Sequence, residues 1–139
     1  MCIRDSLPVL EQARDEIFHQ TELLERAVIA KIPDGVYSAE GVLDNDGVDL
    51  DTPVPIRLRI TVAGEGIDFD VTESADQTVG PVNCGVSQAV SALRVGYKLL
   101  VSPDLPGNGG SFRSMSTQVR EGSVLGLSLI HISEPTRPY

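Results

Sequence analysis

From Leu7 to Ile32 the side chains repeat with a helical period. Leu10, Ala13, Ile17, Thr21, Leu24 and Val28 recur every three or four positions, with Glu11, Arg14, Asp15, Glu22 and Arg26 between them. The spacing predicts an amphipathic helix, and Pro33-Asp34-Gly35 ends it in a turn. Val36–Leu43 reads as a strand and Asp44–Gly47 as an acidic turn. Ile56–Val62 alternates apolar and polar residues, Ala63–Gly66 turns the chain, and Ile67–Val71 alternates again. This pair predicts an antiparallel hairpin in which Arg57 and Arg59 face Asp68 and Asp70. After an irregular polar stretch, Thr72–Cys84, residues Ala89, Val90, Leu93, Tyr97 and Leu100 mark a second helix over Ser87–Val101. Pro103–Gly110 is a loop by its glycine and proline content, Ser111–Val119 a strand and Glu121–Ser123 a turn. The predicted fold is α+β: an antiparallel sheet with flanking helices, an incomplete slice of a larger fold, without internal repeats.

The two ends fit none of these elements. One codon choice for Met1–Ser6, read from the complementary strand, spells Leu127–Ile132, and Ser133–Arg137 continues as one adapter arm would. This resembles the transposon end attached to fragments in sequencing-library preparation. Residues 1–6 and 127–139 are therefore expected to be adapter-derived artefacts, and residues 7–126 a partial domain with neither natural terminus. Setting the flanks aside removes Arg4, Arg137, Asp5 and Glu134, so the formal charge stays at −9. A balance this acidic argues against nucleic-acid backbones and anionic membrane surfaces, and no run of about 18 apolar residues marks a membrane span. One cysteine, Cys84, and one histidine, His19, remain. A single cysteine cannot form an internal disulfide, which fits a cytoplasmic location.

Little of the local chemistry is self-sufficient. Asp44–Asp51 resembles a calcium loop, but aligning Gly47 with that loop's glycine puts Val42 and Pro53 at ligand positions, so a solvated turn is expected. Gly85-Val86-Ser87-Gln88-Ala89 lacks the closing glycine of a nucleophile elbow, and Ser87 is expected to cap the second helix. Cys84 has no base beside it in sequence and reads as a small buried apolar residue. Leu105–Ser111 could wrap backbone amides around an anion but lacks a phosphate loop's Gly-Lys-Ser/Thr ending. No His, Cys or carboxylate cluster has metal-ligand spacing. No catalytic residue and no metal ligand is assigned.

The order of several segments carries more information than any one motif. Ile32–Tyr37, Leu43–Gly47, Ile67–Thr72 followed by Gln77–Asn83, Asp104–Arg113 and Glu121–Ser123 together resemble the B component of the hydantoinase/oxoprolinase family over nearly all of residues 7–126. Two positions depart from the family pattern: Glu73 stands where a glycine is usual, and Gly107 where a small or apolar residue is expected. The resemblance implies ATP-dependent opening of a cyclic amide such as a hydantoin or 5-oxoproline. A hydantoinase A-type partner subunit or fused domain would bind ATP with magnesium and activate the ring amide. A divalent metal would be held by His and Asp residues upstream of this segment, which His19 does not match. The fragment is expected to be inactive alone and to bind no cofactor itself. Contacts to substrate or partner are expected from Gln77, Asn83, Asn108 and Arg113, whose amide and guanidinium groups can hold a carbonyl or phosphorylated oxygen. Two alternatives stay open: a fragment of a related acetone- or acetophenone-type carboxylase, and a noncatalytic acidic α+β interaction domain.

Overall fold

The computed structural model describes residues 7–127. In chain order it contains α1 (Leu7–Ile29), β1 (Gly35–Leu43), β2 (Val54–Ala63), β3 (Gly66–Asp70), α2 (Val86–Val101) and β4 (Met115–Gln118). The four strands form one sheet in the order β1-β2-β3-β4. The expected α+β class holds. The sheet, however, is mixed: β1, β2 and β3 are antiparallel neighbours, whereas β4 runs parallel to β3. The cause is the connection. A tight turn can only return the chain antiparallel, but α2 carries it back across the sheet, as a parallel pair requires. The expected strand over 111–119 is correspondingly short, because 111–114 is turn rather than strand.

Alternation along β2 divides the sheet into two faces. Val54, Ile56, Leu58, Ile60 and Val62 point one way, and Arg57, Arg59 and Thr61 the other. Val62 pairs with Ile67 and Ile60 with Phe69, which extends the apolar face into β3. Both helices cover that face, and the core joins Ile29 of α1, Val62, Ile67 and Phe69 of the sheet, and Tyr97 and Val101 of α2. Tyr97 is fully buried and meets Phe69 edge-on at 6.3 Å between ring centroids, a favoured aromatic geometry.

Helix α1 docks differently from what its apolar period suggests. The residues it buries or half-buries are Phe18, Thr21, Glu22, Glu25, Arg26, Val28 and Ile29. Leu10, Ile17 and Leu24 of the periodic stripe are instead 57–63% exposed. The docked face holds a fully buried glutamate, so packing here depends on polar partners from distant parts of the chain.

Candidate functional site

Among the described residues the polar groups gather in three loop systems, one buried hub between the helices and one sheet face. The first is the glycine-rich segment between α2 and β4, which clamps α1 at its midpoint. Asn108 Nδ2 donates to Thr21 Oγ1 at 2.9 Å, while its Oδ1 accepts the Gly110 amide at 2.8 Å. Arg113 donates to Glu22 at 3.3 Å and lies 5.7 Å from the Phe18 ring centroid. The glycines are explained by this contact. A Cβ on Gly110 would overlap the Phe18 carbonyl, and one on Gly109 would press on the Phe18 ring at 3.0 Å. The amides of Asn108, Gly110, Ser111 and Arg113 bond within the loop itself while its glycines lie against Phe18 of the helix, and the segment is built as a clasp. Hydrogen bonds from Arg26, then from Arg113, hold the Glu22 carboxyl below its usual range.

Behind the clasp lies a polar hub that no sequence pattern announces. Glu25 is fully buried in α1 and accepts hydrogen bonds from Tyr97 Oη at 2.9 Å, Lys98 Nζ at 3.1 Å and Ser102 Oγ at 2.8 Å. Tyr97 gives its proton to Glu25, so the 2.8 Å contact with Ser114 Oγ is donated by the serine. Lys98 also reaches Ser102 Oγ at 2.5 Å. Burial, reinforced by the neighbouring Glu25, pushes the Tyr97 hydroxyl well above its ordinary pKa. The hub ties α1 to α2 and to the turn before β4. Its groups are enclosed, which suits a brace rather than a reacting centre.

The second loop system runs from Thr72 to Gly85. Asp46, expected in a solvated turn, is only 6% exposed. Its carboxylate accepts the amides of Val48, Asp49 and Gly80 at 2.7–2.9 Å, and these bonds hold its pKa down. Gly80 must be glycine because a Cβ there would overlap the Asp46 carbonyl. Asn83 closes the same loop: its Oδ1 accepts the Thr78 amide, and its Nδ2 donates to the carbonyls of Thr78 and Gly80. The Gln77 side chain is exposed, while its backbone amide bonds the Gly122 carbonyl.

A third system, residues 120–127, is sewn onto this loop. Arg120 donates to the Thr72 and Ser74 carbonyls at 2.9 Å and pairs with Asp76 at 2.8 Å. Val124 and Ser123 are fully buried, and Leu127 bridges to Gly85. Of the expected adapter flanks, residues 1–6 and 128–139 lie outside the described residues. The N-cap of α2 is Gly85, not Ser87: Gln88 reaches back to accept the Gly85 amide at 3.1 Å, and Ser87 lies inside the helix. Cys84 is half-buried rather than buried, beside the Gly85 carbonyl.

The polar sheet face forms an open groove of about 360 Å³ lined by β1, β2, Asp70 at the end of β3 and Glu73 at the start of the Thr72 loop. Arg57 pairs with Glu40 at 2.8 Å, whereas Arg59 lies 3.7 Å from Asp70 and bonds Glu73. The expected cross-strand pairing therefore forms for Arg59 and Asp70. Asp68 instead accepts from Ser116 and Gln118 of β4. Glu73, the departure from the family pattern, has a partner that a glycine could not provide. Two guanidiniums answered by three carboxylates make a charge-compensated face, not an anion trap.

The expected contact residues thus fall into two groups. Asn108 and Arg113 meet on α1, and Gln77 and Asn83 share the Thr72–Gly85 loop. Both asparagine carboxamides are engaged in holding loops, whereas Gln77 is exposed and Arg113 has a single long bond to Glu22. His19 is exposed on α1. Among the described residues no three His, Cys, Asp or Glu side chains gather as a metal site would require, and no helix is long and apolar enough to cross a membrane.

A Pseudomonas sp. (strain NS671) protein, named as the putative B component of a D-/L-hydantoinase, is 37% identical over 82 residues, covering 55% of this chain and 14% of that protein. The fold matches the crystal structure of an ATP-dependent caprolactamase from Pseudomonas jessenii with a TM-score of 0.81 and 20% identity, over 91% of this chain and 22% of the other. It also matches a nucleotide-free acetone carboxylase with a TM-score of 0.65 and 17% identity, over 77% of this chain and 16% of that one. The chain therefore spans less than a quarter of each of these relatives. The sequence profile of the hydantoinase B/oxoprolinase family matches residues 1–128, and the chain belongs to that family.

Proposed function

We propose that this chain is a segment of the B component of an ATP-dependent enzyme that opens a cyclic amide of the hydantoin, 5-oxoproline or lactam class. The observation that carries the reading is the family match over residues 1–128, joined to the likeness to a hydantoinase B component. In this reading a hydantoinase A-type partner or fused domain binds ATP with magnesium and activates the ring amide. A divalent metal belongs to a part of the B component outside this chain, and the complex works in the cytoplasm. Residues 7–126 are the family-derived part, the flanking residues are adapter-derived, and the segment alone is inactive.

Within the segment, Gln77 and Arg113 are the groups with donors to spare for substrate or partner. Asn83 and Asn108 support them by fixing the loop on which Gln77 sits and the clasp from which Arg113 extends. The test uses a full-length protein carrying this segment, purified with its A-type partner. ADP release is measured with hydantoin, 5-oxoproline and caprolactam, and with acetone plus bicarbonate. ADP release coupled to ring opening is expected, and Arg113→Ala is expected to lower its rate at least about tenfold with folding unchanged, the effect of losing a charged hydrogen bond to an activated oxygen. Turnover confined to acetone and bicarbonate would move the segment to the carboxylase branch. Full ring-opening turnover in both Gln77→Ala and Arg113→Ala would remove these residues from the site.

A further inference from the structure

The two edges of the sheet are built differently. Strand β4 is only four residues long, the usual way to blunt an edge. Strand β1 is nine residues long, pairs with β2 through an unbroken register from Gly35↔Val62 to Leu43↔Val54, and has no strand on its other edge among the described residues. It carries none of the devices that protect an exposed edge: no proline, no lysine or arginine, no bulge. Its one charged residue, Glu40, is engaged with Arg57. Both faces of the strand also carry apolar side chains in the open. Val36 and Val42, 64% and 54% exposed, lie on the arginine face, and Tyr37 and Leu43, 44% and 37% exposed, on the helix face. On the arginine face these valines flank Ser38 and Glu40, so apolar side chains stand at both ends of the open edge, where a neighbouring strand would cover them.

We infer that β1 is an interior strand of a wider sheet, and that the strand beside it comes from a part of the full-length polypeptide outside this chain. The occupant is an extended segment whose amides and carbonyls answer those along the free edge of β1, and whose apolar side chains lie beside Val36 and Val42 on one face and Tyr37 and Leu43 on the other. Length favours the same polypeptide over a second copy. Nearly all of this chain, 91%, superposes on a protein of which it makes up only 22%, so most of a full-length relative is available to supply the strand. The inference rests on the reading of this chain as a segment of a longer B component. It uses no activity measurement, so failure of the ring-opening assignment would leave it standing.

The test is amide hydrogen exchange across Val36–Leu43 in the 139-residue chain and in a full-length protein carrying the segment. In the isolated chain, alternate amides, those not bonded to β2, are expected to exchange rapidly. In the full-length protein the same amides are expected to slow by at least about 100-fold, as amides of paired interior strands do. The double variant V36K/V42K is expected to leave thermal unfolding of the isolated chain unchanged but to lower that of the full-length protein. Outward amides that exchange equally fast in both proteins would overturn the inference. So would protection that arises only in the isolated chain and grows with its concentration, which would assign the edge to a second copy.

Discussion

Replacing Glu25 by alanine tests whether the buried hub holds the two helices together. The carboxylate has no solvent exposure, and Lys98, its ionic partner, keeps only 17% of its side-chain surface. Truncation leaves an ammonium and two hydroxyls without their acceptor in an enclosed space. Removing one partner of a buried ion pair costs about 3–5 kcal/mol. The lower end applies here, because Lys98 retains Ser102 and Tyr97 retains Ser114. We expect a loss of about 3 kcal/mol, a large share of the stability of an ordinary domain. Glu40→Ala is the internal control. Its pair with Arg57 is about half exposed on both sides, and such pairs contribute at most about 1 kcal/mol. Urea unfolding followed by far-UV circular dichroism measures both, and the stability differences come from the midpoints at a common slope. The double replacement E25M/K98M should recover most of the loss, because well-packed apolar groups can substitute for a buried pair. If Glu25→Ala falls within about 1 kcal/mol, like Glu40→Ala, the hub is not what fixes α1 and the reasoning fails.

Three further outcomes follow from the same geometry. Gly110→Ala should push the clasp off Phe18 and lower stability by about 1–3 kcal/mol, the usual cost of overpacking; proteolysis within α1 should quicken, and unchanged cleavage would refute the contact. The Asp46 carboxyl is held below its ordinary value of 3.8 by backbone donors, so its stabilisation is present above that pH and is lost as pH falls through the lowered folded value. Asp46→Asn should therefore flatten the acid limb of the stability–pH curve, measured by urea midpoints from about pH 7 to about pH 3, and an unchanged slope would count against it. Finally, the exposed stripe of Leu10, Ile17 and Leu24 should make the isolated chain associate and dissolve poorly. Changing all three to glutamine should raise solubility and shift unfolding by less than about 0.5 kcal/mol per site, whereas strong destabilisation would show that the stripe is packed within this chain.

Much of the architecture was legible locally because it is encoded locally. The period-two alternation of Ile56–Val62 and Ile67–Val71 placed a hairpin whose strands are β2 and β3, and apolar periodicity placed both helices to within a few residues. The segments resembling the hydantoinase B/oxoprolinase family were also sufficient to identify it, since order and spacing survive without any knowledge of contacts. The candidate contact residues were less legible. Type alone brought Gln77, Asn83, Asn108 and Arg113 forward, because a carboxamide that braces a loop, as in Asn83 and Asn108, and one that stays exposed, as in Gln77, look the same in sequence.

What the tertiary structure decided depends on partners far apart in the chain. Sequence could not tell that β4 pairs parallel to β3, because strand direction is set by the route of the intervening chain over the sheet. Nor could it tell that α1 docks through Glu25 rather than through its leucine stripe. Periodicity records where apolar residues lie, whereas a carboxylate is buried only where distant donors meet it, here Tyr97, Lys98 and Ser102. The glycines of the clasp belong to the same class. Gly109 and Gly110 read as a flexible loop in sequence, and only the approach of Phe18 makes their missing side chains a requirement. By itself the sequence determined the elements, their order and the family. Folding determined which faces meet, because that depends on filling shared space and satisfying buried polar groups across the whole chain.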